Sequence, residues 1–525
     1  MHLRFSKSNI YKLICSQMAL ILTSCSLLPN TINATSIQST NQLEVNTDIK
    51  ELKKESKQKQ TAETYISDLI EIIEQKYIVY QVENSPEAKA AIQELVKIGK
   101  PAVPQLINAL RKNRILLTFG VAETLSKIAH KDSSVVPILI NKLGDKHLQV
   151  RFGAMKALEN DSFVPELKKA AQDKNPRIAA GAIFALGRAY QNSIVLPFLD
   201  NKNLLIRRSA ALGLAPSSRK KTLEVFTILK NALDDEDAFI RVNSAVNLTF
   251  AIGYIKEVSQ VIEIDDINKI AKVMVEGAEN KDSSIRFTAV QAFSQIYRIR
   301  YLYEITPNPP LVPSIIKAIK DEDPGVRYMA IWVIAKMENA KKAAIPLLLE
   351  ELDSKDERLR GVAAFAFKGM GSDAKPAIPK IIAISQNKQE NEQNRRYALR
   401  TLGNLKKNAV LAIPALINTI EDKQNSELII IGAAQALQKI DSVVLIPYLV
   451  KNISGKDKKF SAAWLRILKS TVNGIKRDKN ELSQAELSKT ISELETALKI
   501  NENSKNDFPQ HIAPFLRESI VELKK

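Results

Sequence analysis

After Cys25 the chain contains no cysteine: its only two, Cys15 and Cys25, both stand within the first 25 residues. Disulfides within the body are excluded, and so are cysteine-based metal sites and a cysteine nucleophile. Histidine is almost as scarce. His2, His130, His147 and His511 are scattered singly, and no two have the i, i+4 spacing that aims two imidazoles at one metal. No metal or other cofactor is expected. The enzyme signatures are missing too. There is no G-x-x-x-x-G-K-S/T phosphate loop, no G-x-G-x-x-G, no H-E-x-x-H and no G-x-S-x-G. Glycine (17), tryptophan (2) and aromatics as a whole (6%) are sparse. What remains is rich in Ala, Leu, Ile and Lys, residues that favour helix over sheet.

The chain has 525 residues, too many for one ordinary domain, and a formal charge of +18. That balance predicts long-range attraction to acidic partners without naming them.

The first residues carry Arg4, Lys7 and Lys12 and no acid, and the apolar run "LICSQMALIL" follows. This is the order of a secretory signal, and the run is well short of the roughly 20 residues that span a bilayer. "LTSC", Leu22–Cys25, then resembles a bacterial lipobox. That resemblance implies a signal peptide over 1–24 and a lipid on Cys25. A second reading breaks the apolar region at Pro29 and cleaves after Ala34. Both place the body outside the cytoplasm: a membrane-anchored lipoprotein of the envelope or periplasm, or a secreted or soluble periplasmic protein. Losing residues 1–24 removes three positive charges from +18 and leaves +15. Residues 25–60 are polar and read as a flexible tether.

From residue 61 the chain repeats itself. One marker is an apolar residue before a proline that opens an apolar run. It appears at Pro104, Pro137, Pro165 and Pro197, then at Pro313, Pro346, Pro379, Pro414 and Pro447. The spacings are 33, 28 and 32, then 33, 33, 35 and 33. Proline suits the first turn of a helix, where its missing N–H would have had no partner. The second marker is an arginine with small residues three and six positions on. It reads from Arg151, Arg241, Arg286, Arg327 and Arg360, with offset copies at Arg207 and Arg395 and a looser one at Arg177. Positions three apart share a helix face, and small residues there let a neighbouring helix approach. The markers alternate, so each unit is a helix pair: helix A carries the arginine and helix B the proline. Inserts are expected at about 252–265 and 298–312, and Ile430 stands where an arginine would be.

These units resemble HEAT repeats, in particular the variant named for phycobilisome lyases, whose units read "DxxxxVRxxAAxALG…AVPxLIxxL". The resemblance implies an all-α fold: a right-handed α-solenoid of about twelve helix pairs over 61–525, with capping helices near 61–80 and 509–523. It also implies binding along the solenoid surface, and it raises a second function, a bilin lyase-like or chromophore-handling subunit.

The acids fall at unit junctions, "DDED" at 234–237, "DED" at 321–323 and "EDK" at 421–423. A junction acid can cap the next helix, and that role is expected in place of calcium binding or catalysis. Asp145 and Arg151, Asp235 and Arg241, and Asp321 and Arg327 share a six-residue interval. These pairs are expected to form a ladder that ties each unit to its neighbour.

Two stretches suggest partner binding. "YRIRYLYEITPNPP" offers Tyr297, Arg298, Arg300, Tyr301 and Tyr303, residue types enriched at binding hot spots. The alternative is a longer helix A that buries its tyrosines. The basic stretch 451–479 offers Lys456, Lys458, Lys459, Trp464 and Arg466, or simply a solvated face. The function expected is a monomeric, non-catalytic scaffold with an acidic protein or peptide partner, held to a membrane by its N-terminal lipid. A basic solenoid docked on an anionic membrane or polymer is the other alternative. Nucleic acid is not expected for an exported chain.

Overall fold

The markers become helices for the reasons their chemistry gives. The computed structural model describes residues 62–76, 85–112, 114–214, 222–254, 262–303, 310–422, 424–440, 443, 445–447, 449, 458–477, 479–502 and 513–525. Among these residues there is no strand. The fold is an all-α solenoid of paired helices. Two compact units are separated after Leu311.

Proline stands at the start of the B helices Val103–Ala109, Val136–Lys142, Val164–Ala170, Ile378–Gln386 and Ile413–Glu421. Short 3-10 turns lead into them, such as Lys100–Ala102, Ser133–Val135 and Lys406–Ala412. Pro346 departs from the expectation. It lies inside the helix Glu338–Glu351, where it denies the Lys342 carbonyl its ordinary donor.

In the first unit the A helices are α1 (Ile115–Lys131), α2 (Leu148–Leu158), α3 (Pro176–Arg188), α4 (Leu204–Gly213), α5 (Ala238–Tyr254) and α6 (Ser283–Tyr303). In the second they are α7 (Pro324–Ile334), α8 (Glu357–Ala366), α9 (Glu392–Asn404) and α10 (Glu427–Ile440), followed by α11 (Lys458–Arg477). Within each unit every A helix packs against the next. The residue three after the arginine explains the close stacking. It is Ala154, Ala210, Ser244, Ala289, Ala330 or Ala363, and none is more than 1% exposed. A larger side chain there would hold the neighbouring helices apart.

The stretch from Tyr297 is not an insert at its start. Helix α6 continues through it to Tyr303. Outer helices Ala62–Lys76 and Ala513–Lys524 stand near the positions expected for caps.

Candidate interaction surface

The repeated arginine is built into a turn. In the copy at 321–327, the Asp321 carboxylate accepts from the Asp323 N–H at 2.9 Å, which closes an Asx turn. The Asp323 carboxylate then accepts from Gly325 N–H at 2.7 Å and Val326 N–H at 3.3 Å, as an N-cap. Pro324 is the first helical residue. One turn on, Arg327 Nη1 donates back to the carbonyls of Asp321 at 2.8 Å and Glu322 at 3.3 Å. These carbonyls belong to the chain leaving the preceding B helix. The same contact, to the carbonyl six residues back, is made by Arg151, Arg207, Arg241, Arg286 and Arg360 at 2.7–3.1 Å.

The expected Asp–Arg pairs therefore meet through main-chain oxygen. Asp145, Asp235 and Asp321 offer their carbonyls to Arg151, Arg241 and Arg327. Their carboxylates take N–H groups of the turn instead. The physical reason is reach: a short Asp side chain closes on the amide two residues ahead, which leaves its carbonyl facing the guanidinium. The acid at this position can accordingly be replaced by Asn201, Asn280 or Ser354 in other copies.

The far edge of the guanidinium supplies the tie between units. Arg207 Nη2 reaches Glu236 at 2.8 Å, Arg327 Nε reaches Glu351 at 3.2 Å, and Arg360 Nε reaches Glu390 at 2.7 Å. Each carboxylate stands at or beside the junction before the next A helix. Burial holds the Glu351 carboxyl above its ordinary value, and the adjacent Arg327 opposes that rise. The offset Arg395 does the same work with other atoms, donating to the Ser385 carbonyl at 3.0 Å and to Asn425 Oδ1 at 2.7 Å.

Asp356 shows the electrostatics of these caps. Its carboxylate takes the Arg358 Nη2 at 2.7 Å, Nε at 3.1 Å and main-chain N–H at 2.9 Å. The side-chain hydrogen bond from Arg358 is the main cause that holds its carboxyl below the ordinary 3.8. A depressed acid stabilises the fold above its unfolded value, and that contribution is lost as pH falls through the folded one. Asp356→Asn keeps the capping oxygen but loses the charge. It is expected to destabilise by ~0.5–1 kcal/mol at neutral pH, with the deficit vanishing in acid below 3.8. Urea unfolding at both pH values measures this.

Of the other expected site residues, only Tyr297 has a described side chain. Tyr297 is buried on α6, 9% exposed. Arg298, Arg300, Tyr301 and Tyr303 continue that helix, and their side chains lie outside the described residues. So do the side chains of Lys458, Lys459, Trp464 and Arg466 on α11, and the whole of Lys456. Cys25 and the rest of 1–61 also lie outside them.

A surface that sequence reasoning missed lies on α7, α8 and α9. Trp332 stacks on Phe365 with ring centroids 5.3 Å apart and planes at 21°, and Phe365 meets Tyr397 at 5.3 Å and 49°. All three rings are half-buried. Lys336 Nζ lies 5.0 Å from the Trp332 ring, and Lys368 Nζ and the Arg400 guanidinium lie 5.7 and 5.9 Å from Phe365. The rings' electron-rich faces attract these cations. Close by, burial, with smaller help from Tyr397, pushes the Tyr328 hydroxyl up to about 12. The signal in the sequence was positional. Trp332 and Phe365 both stand five residues after the marker arginine, off the buried stripe.

Residues 297–368 match the family model described as HEAT repeats. Comparison with curated proteins finds no match. Among solved structures, the chain is similar to the Escherichia coli protein YibA at 21% identity, over 59% of this chain and 96% of that one, with a TM-score of 0.36. It is similar to an engineered protein at 16% identity, over 74% and 98%, with a TM-score of 0.39. It is also similar to the karyopherin Kap121p bound to the extreme C-terminus of the protein phosphatase Cdc14p, at 12% identity and a TM-score of 0.48. That alignment covers 88% of this chain and 57% of Kap121p.

Among the described residues no three His, Cys, Asp or Glu side chains are grouped to hold a metal ion. No described helix is long and apolar enough to cross a membrane.

Proposed function

We propose that this chain is a non-catalytic, protein-binding repeat scaffold of the cell envelope, held there by a lipid on Cys25. The observation that carries the reading is the use made of the repeated charges. Six of the marker arginines are engaged by the turn before their own helix, and three of these also reach the junction that follows. Charges that looked available for chemistry are spent on stacking helices, and stacked pairs offer a long surface for a partner. The envelope location rests on the export signal and on "LTSC" at Leu22–Cys25.

Two measurements test it. The chain is expected to incorporate radiolabelled palmitate and to fractionate with membranes, and Cys25→Ala is expected to abolish both. The cysteine-free body, fixed to resin, is expected to retain a protein from envelope extract. A cytoplasmic chain that still begins at Met1 would sink the anchored scaffold and restore the bilin-lyase reading. A body that retains no protein would remove the scaffold itself.

A further inference from the structure

The strip on α7–α9 has two properties that the repeat does not require. The first is its aromatic surface. The A helices already bury their packing stripe with residues such as Ala330, Val333 and Ala363, each at most 1% exposed. Trp332 and Phe365 lie off that stripe. In the first unit the same register position holds Lys156, Leu212, Val246 and Gln291, five after Arg151, Arg207, Arg241 and Arg286. A stacked run of half-buried rings is thus particular to these repeats.

The second property is unbalanced charge. Elsewhere, lysines at the turns meet acids: Lys156 with Glu159, Lys380 with Asp353 and Lys388 with Asp422, at 2.5–2.7 Å. Among the described residues, no carboxylate pairs with Lys368, Arg400 or Lys439. These cations also crowd one another. Burial first, then repulsion from Arg400, Lys439 and Lys341, makes the Lys368 ammonium give up its proton more easily than usual. The helix dipole favours a cation in a last turn, which accounts for Lys439 on α10. It does not account for Lys368 and Arg400 at the Phe365 ring, neither of them paired with a carboxylate among the described residues.

We propose that Trp332, Phe365 and Tyr397, together with Lys368, Arg400 and Lys439, form a docking strip for an acidic, extended peptide segment of a partner protein. The inference rests on the scaffold reading and names the chemistry of its ligand. Charge complementarity selects the acid. The rings favour a peptide over a nucleic acid: Phe365, at the centre of the strip, is already engaged by Trp332 and Tyr397, each 5.3 Å away, and does not offer its plane to a base. Neighbouring A helices stand ~8–10 Å apart, and an extended chain advances ~3.3–3.6 Å per residue. A carboxylate at every third residue therefore meets successive cations, and the residues between lie on the rings.

The test is fluorescence anisotropy of a labelled Glu-Leu-Ser repeat peptide with the full mature chain. Gln-Leu-Ser peptide, phosphatidylglycerol vesicles and a single-stranded oligonucleotide are run beside it. The acidic peptide is expected to bind at least ~10-fold more tightly than its amide counterpart, since charge-assisted contacts are the stronger kind. The triple variant Lys368→Glu/Arg400→Glu/Lys439→Glu and the single Trp332→Ala are each expected to weaken it ~10-fold or more. A neutral triple variant, Lys368→Gln/Arg400→Gln/Lys439→Gln, removes the mutual repulsion and is expected to lose the acidic peptide while melting no lower than the parent; that separates lost binding from lost fold. Peptide binding unchanged in the triple variant overturns the strip. So does a strip that takes vesicles or oligonucleotide in preference to peptide. If the triple variant still retains the envelope partner that the parent body captures, the strip fails and the scaffold stands. If the parent binds the acidic peptide but captures no protein, the scaffold fails instead.

Discussion

Gly187→Ala is expected to destabilise the first unit by ~2 kcal/mol or more, against the ordinary preference for alanine in a helix. That preference alone would stabilise by ~1 kcal/mol. The obstacle is the backbone of α4. A Cβ on Gly187 would stand 2.5 Å from both the carbonyl carbon and the oxygen of Gly213, and 2.8 Å from its Cα. No rotamer change can clear main-chain atoms, so α3 and α4 would have to separate along their contact. Gly213→Ala is the control. Its Cβ would meet Phe184 Cα and oxygen at 3.1 Å, which a small shift relieves. Stability in a repeat array is close to a sum of unit and neighbour terms. The deficit in Gly187→Ala should therefore appear first as faster amide exchange in α3 and α4. Equal melting curves for Gly187→Ala and the parent would show that these helices are not held by close backbone approach.

The solenoid was legible because its signal is periodic. Prolines at Pro104, Pro137, Pro379 and Pro414 and small residues after each arginine state the same helix pair many times, and each statement has one physical meaning. The role of Asp323 as N-cap and the burial of Ala330 and Val333 could be read by setting this copy against the others. The acceptor of the arginine could not. A main-chain carbonyl has no letter of its own, so an acid at the right interval stood in for it. The replacements Asn201, Asn280 and Ser354 held the correction, since they keep the carbonyl and drop the charge. The far partners Glu236, Glu351 and Glu390 lie 24–30 residues from their arginines, at intervals that vary between copies, and only the packed structure selects them. The aromatic strip was hidden for a different reason. "YMAIWVI" and "GVAAFAF" read as core, and whether Trp332 faces the core or the solvent depends on helix phase, which the apolar run masks.

The second large effect belongs to Arg360. Its Nε meets Glu390 Oε2 at 2.7 Å, and the Glu390 side chain is only 1% exposed. Nη1 of the same guanidinium donates to the carbonyls of Ser354 at 2.8 Å and Lys355 at 3.2 Å. Arg360→Ala would leave Glu390 with the Asn394 amide, at 2.8 Å, in place of a cation. A buried carboxylate stripped of its charge partner costs ~3–5 kcal/mol, far more than a surface pair is worth. Arg360→Ala is therefore expected to be among the most damaging substitutions in the second unit. Arg327→Ala breaks the same kind of contact with Glu351, whose side chain is 15% exposed, and is expected to cost only ~1–2 kcal/mol. The decisive comparison is the double variant Arg360→Ala/Glu390→Gln. If the penalty is the unpaired charge, neutralising Glu390 should recover more than half of it, and the coupling energy of the cycle should be large. If the penalty comes from the lost carbonyl caps, Glu390→Gln should recover nothing, because Ser354 and Lys355 remain uncapped in both variants. Denaturant unfolding of the four members of the cycle distinguishes these outcomes. It also decides whether the arginine repeated through this chain holds mainly the turn behind it or the repeat ahead.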